Sequence, residues 1–173
     1  GLFVKIGNTV YFSANSKIWK TNGTASGTEQ ISNSPSNASN LTSFANTLFF
    51  TAEDTANGFE FWKLNDTQSA AVLVKDINPG TASSAPSNYF IFNNSLYFVA
   101  YTNASGNEIW KTDGTPQNTV LFKEINSGSN YGIPVSGPKF IVYHNKVFCA
   151  ANEGSHGVEL WSTTGVPSET VLV

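Results

Sequence analysis

Acidic side chains in two short loops are the residues of this chain whose types could hold a metal ion or transfer protons. One loop runs from Glu53 to Asn57 and contains Asp54, and the other begins at Glu153 and contains His156. Neither loop has the regular donor spacing of a Ca²⁺ site or the paired histidines expected for zinc. We therefore expect two solvated loops and no cofactor, with Glu53, Asp54 and Glu153 as candidates for weak Ca²⁺ binding.

Three further glutamates, Glu60, Glu108 and Glu159, each lie two residues before a tryptophan. Residues two apart on a β-strand share a face, so each carboxylate is expected beside the indole ring. A carboxylate on a buried face must be paired or hydrogen-bonded, and backbone amides of an adjacent sheet would satisfy it. The alternative is an inward-facing ring of glutamate ligands, which Lys17 at the equivalent place in the first repeat disfavours.

Nucleophilic catalysis has little support in the sequence. Cys149 is the single cysteine and stands where related segments of the chain have phenylalanine, so we expect a small buried apolar residue. The two histidines, His144 and His156, lie in different contexts, and no Ser-His-Asp set can be argued from them. The sequence therefore predicts no catalytic residue.

These candidate residues recur because the chain itself is repetitive. Tryptophans spaced 43, 48 and 51 residues apart stand at the same place in four similar modules, namely Trp19, Trp62, Trp110 and Trp161. Periods of this size are typical of propeller blades and solenoid units. The approximate repeats are 1–34, 35–80, 81–130 and 131–173, which we read as one propeller domain or propeller fragment.

Each repeat predicts four short strands in a meander. The first two strands flank a tight turn whose second residue is Asn8, Asn46, Asn94 or Asn145. The second strand is apolar on consecutive residues, as in Leu96-Tyr97-Phe98, so both of its faces must be buried. Radially stacked sheets achieve this, and we therefore predict an all-β fold, a β-propeller of four four-stranded antiparallel blades. The repeated tryptophans are then expected to pack between neighbouring blades. The blades could close as a ring or, as we favour, form an arc of a larger propeller.

The third repeat reads EIWKTDGT from Glu108 to Thr115 and resembles the ELWxxDGT signature of a bacterial repeat family, with isoleucine in place of leucine. The other three copies drift from the signature. The resemblance implies secreted or cell-surface proteins with propeller-like structure and no generally established catalytic activity. Turn chemistry itself predicts structural roles for Asp113, which can accept backbone amides, and for Gly114, which can adopt a left-handed conformation.

Charge and composition indicate which classes of partner are not expected. All nine basic residues are lysines, 12% of residues are charged and the net charge is −3, so a nucleic-acid partner is not expected. Propeller sialidases hold their substrate carboxylate with arginines, which this chain lacks. Its apolar runs are too short for a transmembrane segment. Composition and resemblance together predict an extracellular or cell-surface location.

Recognition is expected in the connections between repeats, 76–88 and 126–139, because variable loops on a rigid scaffold commonly carry binding sites. Tyr131 and Tyr89 are the ligand-binding candidates, with simple packing as the alternative for Tyr89. The expected function is a non-enzymatic scaffold for adhesion or for binding a glycan or surface protein. The remaining blades or domains of a longer chain would be further partners. The alternative is part of a carbohydrate-active propeller enzyme, although no acidic pair or histidine cluster interrupts the repeat.

Overall fold

The computed structural model describes residues 3–32, 34–135 and 140–173, which form four four-stranded antiparallel sheets. The first sheet comprises β1 (Phe3–Ile6), β2 (Thr9–Ala14), β3 (Lys17–Thr21) and β4 (Glu29–Gln30). The second comprises β5 (Ser36–Phe44), β6 (Thr47–Asp54), β7 (Gly58–Leu64) and β8 (Ala71–Lys75). The third comprises β9 (Ser87–Phe92), β10 (Ser95–Thr102), β11 (Gly106–Thr112) and β12 (Val120–Lys123). The fourth comprises β13 (Ile141–Tyr143), β14 (Lys146–Asn152), β15 (Val158–Thr163) and, after a 3₁₀ turn at Pro167–Glu169, β16 (Val171–Leu172).

Strand order follows chain order in every sheet, so each is the predicted meander. A two-residue turn closes the first hairpin of each sheet. In the second, third and fourth sheets both turn residues have positive φ, as at Ala45 (47°) and Asn46 (60°), whereas in the first sheet Gly7 (57°) is the turn residue with positive φ. Turns of this kind match the twist of the flanking strands but require residues that tolerate a left-handed backbone. Asparagine meets that requirement at the second turn position of the second, third and fourth repeats.

The described chain divides into two compact units on either side of the bond between Pro86 and Ser87. The first unit holds the first and second sheets, and the second unit holds the third and fourth. Each unit has its own cluster of buried apolar side chains between its two sheets. No helix among the described residues has the length and apolar character needed to cross a membrane.

Each sheet has two faces that the repeat register distinguishes. We call the side with the tryptophan the Trp face. The opposite side, with the residue just before the tryptophan, is the Tyr face, named for Tyr11 and Tyr97. In the first unit, Tyr11 and Ile18 from the first sheet share one buried cluster with Phe50 and Trp62 from the second sheet. The Tyr face of the earlier sheet therefore packs against the Trp face of the later one.

The second unit repeats this arrangement at equivalent positions. Tyr97 and Ile109 from the Tyr face of the third sheet share a cluster with Cys149 and Trp161 from the Trp face of the fourth. Cys149 is buried as expected, and burial raises the pKa of its thiol to about 12. A thiol with that pKa stays protonated near neutral pH, so Cys149 is an apolar core residue.

Three of the four tryptophans are buried, with Trp62, Trp110 and Trp161 each 8% exposed. Trp19 differs, because it is half-buried and its ring stacks on Phe12 with 6.5 Å between centroids. The second sheet covers the Tyr face of the first sheet and therefore cannot cover Trp19 on the opposite face. The expectation that the tryptophans pack between sheets thus describes Trp62 and Trp161, whereas Trp19 lies partly at the surface.

Candidate functional site

The connection from Glu124 to Val135 follows the third sheet. It contains Tyr131, the more exposed of the two candidate ligand-binding tyrosines. Tyr131 is 48% exposed, and its ring meets that of Tyr101 edge-on, with 5.8 Å between centroids. Residues 136–139 of the predicted recognition loop lie outside the described residues. A partly exposed aromatic ring that rests on a second ring can stack against a sugar or an apolar group of a protein.

Hydrogen bonds on the C-terminal side of Tyr131 attach this connection to two strands. The Ile133 amide donates to the Asn107 carbonyl at 2.8 Å, and the Asn107 side chain donates to the Ile133 carbonyl at 2.9 Å. The Asn152 amide of β14 donates to the Gly132 carbonyl at 2.8 Å. The backbone beside Tyr131 is therefore fixed to β11 and β14, although the tyrosine ring itself reaches the surface.

The Glu108 carboxylate holds the start of the same connection from inside the protein. Glu108 is fully buried, and its two oxygens accept the amide of Ile125 at 3.0 Å and that of Asn126 at 2.9 Å. Gly132 approaches the carboxylate so closely that a Cβ at this position would overlap it. The connection is thus folded around Glu108, and a side chain at position 132 would require the carboxylate to move.

Glu60 holds the preceding connection in the same way. Its carboxylate accepts the amides of Ile77 at 2.9 Å, Asn78 at 3.3 Å and Ser84 at 2.9 Å, and also the Ser84 hydroxyl at 2.6 Å. The sequence predicts that backbone amides of an adjacent sheet satisfy these glutamates. In the structure the amides belong instead to the connection that follows the same sheet. Because these oxygens are already engaged, Glu60 and Glu108 do not form a ring of ligands.

Glu159 occupies the equivalent position in the fourth sheet and is exposed. In the two earlier repeats, the first amides lie 17 and 18 residues after the glutamate. Glu159 therefore provides a natural comparison for the buried pair, since it has the same place relative to its tryptophan but is exposed.

Burial changes the acidity of both enclosed glutamates. Loss of hydration raises the pKa of Glu108 to about 7, and the nearby Glu124 adds to the rise. The amide hydrogen bonds from Ile125 and Asn126 favour the charged form and act in the opposite direction. Burial likewise raises the pKa of Glu60 above its usual range, against the hydrogen bonds from Ser84, Ile77 and Asn78.

We expect the free energy of unfolding to fall as the pH rises from about 4.5 to about 7. In this window the folded protein holds the Glu108 proton, whereas the unfolded chain has released it. The stabilisation is therefore complete below the window and lost above it. Urea unfolding at several pH values should show that the free energy of unfolding depends less steeply on pH in Glu108→Gln than in the wild type, because the variant lacks the Glu108 carboxyl. Some dependence should remain, since both proteins contain Glu60. Identical pH slopes for the two proteins would contradict this assignment.

Tyr89, the second ligand candidate, lies in β9 rather than in a loop. It is half-buried, and its ring packs against Phe98 with 5.6 Å between centroids. The connection before it is tied to the second sheet, because the amides of Ser84 and Ala85 both donate to the Phe59 carbonyl at 3.1 and 3.0 Å. Tyr89 thus has the packing role that was the alternative to ligand binding, and Tyr131 is the more accessible of the two rings.

The candidate Ca²⁺ ligands accept hydrogen bonds from other protein groups, and those to Asp54 and Glu153 come from their own turns. Asp54 accepts the amides of Ala56 at 3.0 Å and Asn57 at 2.7 Å, and Glu53 accepts the side chain of Asn37 at 2.8 Å. Glu153 accepts the Ser155 hydroxyl at 2.6 Å and contacts the His156 ring, and these two interactions lower the pKa of its carboxyl. Within the described residues, no three histidine, cysteine or acidic side chains converge in a way that could hold a metal ion.

Asp113 and Gly114 form the predicted turn after Trp110. Asp113 accepts the amide and the hydroxyl of Thr115 at 2.9 and 2.7 Å and the side chain of Asn118 at 2.6 Å. The Thr115 and Asn118 side chains thereby lower the pKa of the Asp113 carboxyl. Gly114 has φ of +97°, a conformation that residues with a side chain rarely adopt. The acidic residue in this turn is a folding device.

A pair of threonines that sequence reasoning missed completes the turn. The hydroxyls of Thr112 and Thr119 are 2.7 Å apart, and Thr112 accepts the Gly114 amide at 2.8 Å. The pair recurs as Thr21 with Thr28 and as Thr163 with Thr170. The second repeat has the apolar pair Leu64 and Ala71 in its place. Threonine two and nine residues after tryptophan was the available signal, because these positions bracket the turn.

The similarity of this chain to known proteins lies in its structure. No model of a protein family matches the chain, and no curated protein sequence matches it. TolB from Acinetobacter baumannii has a similar structure, with a TM-score of 0.54 and 12% identity over 92% of this chain and 39% of that one. The GH43B protein of a Bacteroides ovatus xyloglucan PUL gives a TM-score of 0.48 and 13% identity over 99% and 40% of the two chains.

The similarity to TolB and the four-stranded sheets confirm the predicted β-propeller fold. At 12% identity this similarity shows the fold alone. The chain spans 39% and 40% of the lengths of the two solved structures named above.

Proposed function

We propose that this chain is a non-enzymatic, extracellular or cell-surface propeller module that binds a glycan or a surface protein through the connections between its blades. The observation that carries this proposal is the environment of Tyr131. Its neighbouring backbone is tied to β11 and β14, yet the ring is 48% exposed. A ring presented from a fixed backbone loses little conformational freedom when it binds, which favours recognition.

We further propose that the chain is a member of the ELWxxDGT repeat family. In the third repeat, each signature residue has a physical role that supports this assignment. Glu108 accepts amides of the connection, Ile109 and Trp110 are buried on opposite faces, and Asp113 with Gly114 forms the turn. The signature then specifies a blade and its outgoing connection, which leaves ligand specificity to the variable segments between copies.

The alternative of a carbohydrate-active enzyme requires carboxylates that are free to reach a substrate. Glu60 and Glu108 are buried and accept backbone amides, and Asp54 and Asp113 accept hydrogen bonds within their own turns. These interactions support a structural role for all four acidic residues. We therefore favour the binding module over the enzyme.

A glycan array and a pull-down of surface proteins, together with an assay for release of reducing sugars, test the proposal. We expect saturable binding to a subset of glycans or to one surface protein, and no release of reducing ends from any polysaccharide supplied. Sugar release that disappears in Glu108→Gln or Asp113→Asn, in variants shown to be folded, would establish the enzymatic alternative instead.

A further inference from the structure

The Tyr face of the fourth sheet carries a continuous set of exposed apolar side chains. The cross-strand register places them on one face, because Ile141 pairs with Phe148, Leu160 with Ala150, and Val171 with Ser162. The exposed members of this face are Ile141, Tyr143, Val158, Leu160, Val171 and Val173. Exposed apolar surface of this kind marks a site of association with another surface.

The earlier sheets show what covers this face when a neighbour is present. Leu160 directly precedes Trp161, and its equivalents in the first and third sheets are Ile18 and Ile109. Those equivalents are 0% and 2% exposed, each within a cluster that includes the tryptophan of the following sheet, whereas Leu160 is 51% exposed. The missing neighbour of the fourth sheet is therefore a surface with the composition of a Trp face.

The first sheet of the same chain offers such a surface. Its Trp face carries an aromatic row in which Phe3 and Phe12 lie 5.8 Å apart, and Phe12 stacks on Trp19 at 6.5 Å. Phe3 is 69% exposed, and the other two rings are half-buried. In the second sheet, the equivalents of Phe12 and Trp19 are Phe50 and Trp62, which pack against the Tyr face of the first sheet.

We propose that the Tyr face of the fourth sheet binds the Trp face of the first sheet of a second copy of this chain. The two surfaces are the unmatched halves of an interface that each unit already contains once, so no new type of packing is required. The contact joins different surfaces of the two copies, and repetition of it produces rings or filaments rather than an isolated twofold dimer. This inference is independent of ligand binding through the connections.

Sedimentation velocity of the wild-type chain over a series of micromolar concentrations tests the proposal. We expect the mean mass to rise from that of the 18.6 kDa monomer to at least twice that value. Leu160→Glu and Phe3→Glu should each remain monomeric, because each removes one half of the contact. Ile91→Glu is the matched control, since Ile91 is 50% exposed but lies on the third sheet, and it should associate like the wild type.

Mixing the two monomeric variants tests directly whether the two surfaces bind each other. Leu160→Glu retains an intact first sheet and Phe3→Glu retains an intact fourth sheet, so the mixture should form a dimer and nothing larger. Circular dichroism checks that both variants are folded, which the exposure of the two positions favours. A monomeric wild type would overturn the proposal. A mixture that stays monomeric, or a variant that still associates alone, would also overturn it.

Discussion

Replacing Trp62 by alanine should lower the free energy of unfolding by about 3–5 kcal/mol, as expected for truncation of a large aromatic side chain in a core. Trp62 is 8% exposed and belongs to the buried cluster that joins the first and second sheets. Its removal leaves a cavity lined by residues of both sheets. Urea unfolding followed by circular dichroism measures the loss, and Trp62→Phe serves as a milder variant if the alanine protein does not fold.

Trp19→Ala is the matched control, because it changes the same repeat position where the ring is only half-buried. This variant loses the stack on Phe12 and the hydrogen bond from the indole nitrogen to the Ala14 carbonyl at 3.1 Å. We expect less than half of the loss seen for Trp62→Ala. Equal losses at the two positions would mean that the tryptophan acts within its own sheet, and the assigned packing between sheets would be wrong.

Glu60→Ala should cost at least about 3 kcal/mol, because unpaired buried donors are expensive. The substitution removes the Glu60 acceptor from the amides of Ile77, Asn78 and Ser84, of which the Ser84 amide keeps the Phe59 carbonyl, and all three residues are buried. We expect a lower urea midpoint and faster amide hydrogen exchange in the connection after β8. The exchange measurement separates loss of the connection from a general loss of stability.

Glu159→Ala tests whether the enclosing connection, rather than the repeat position, makes the glutamate important. Glu159 has the same place relative to its tryptophan but is exposed. Its replacement should change stability by no more than about 0.5 kcal/mol, as is usual for surface substitutions. A large loss at Glu159, or a negligible loss at Glu60, would contradict the role that we assign to the buried carboxylates.

The fold could be predicted because its determinants are local and repeated. The turn asparagines select tight hairpins, and consecutive apolar residues such as Leu96-Tyr97-Phe98 require burial of both sheet faces. Either signal alone is ambiguous, but four copies in the same register leave few architectures. The same repetition predicts that the tryptophans pack between sheets, as Trp62 and Trp161 do.

The contacts that hold the connections could not be predicted in the same way. The sequence predicts that the Glu108 carboxylate needs hydrogen-bond donors, but it does not show which groups supply them. The donors are the backbone amides of Ile125 and Asn126, which lie 17 and 18 residues further along the chain. Every residue except proline has a backbone amide donor, so residue types do not indicate which amides bind the carboxylate, and the structure is needed to identify them. The difference between Trp19 and Trp62 has a similar origin, since exposure depends on which neighbouring sheet is present.

The central claim is that the repeats build the scaffold and that the connection containing Tyr131 binds the ligand. Its most direct test is the affinity of Tyr131→Ala for the glycan or protein identified by array or pull-down, with the melting temperature measured on the same samples. Ile91→Ala is the control, because Ile91 has nearly the same exposure but lies in β9. We predict at least about tenfold weaker binding for Tyr131→Ala, or about 1.4 kcal/mol, with an unchanged melting temperature and a normal Ile91→Ala control. Wild-type affinity in a folded Tyr131→Ala protein would contradict the claim.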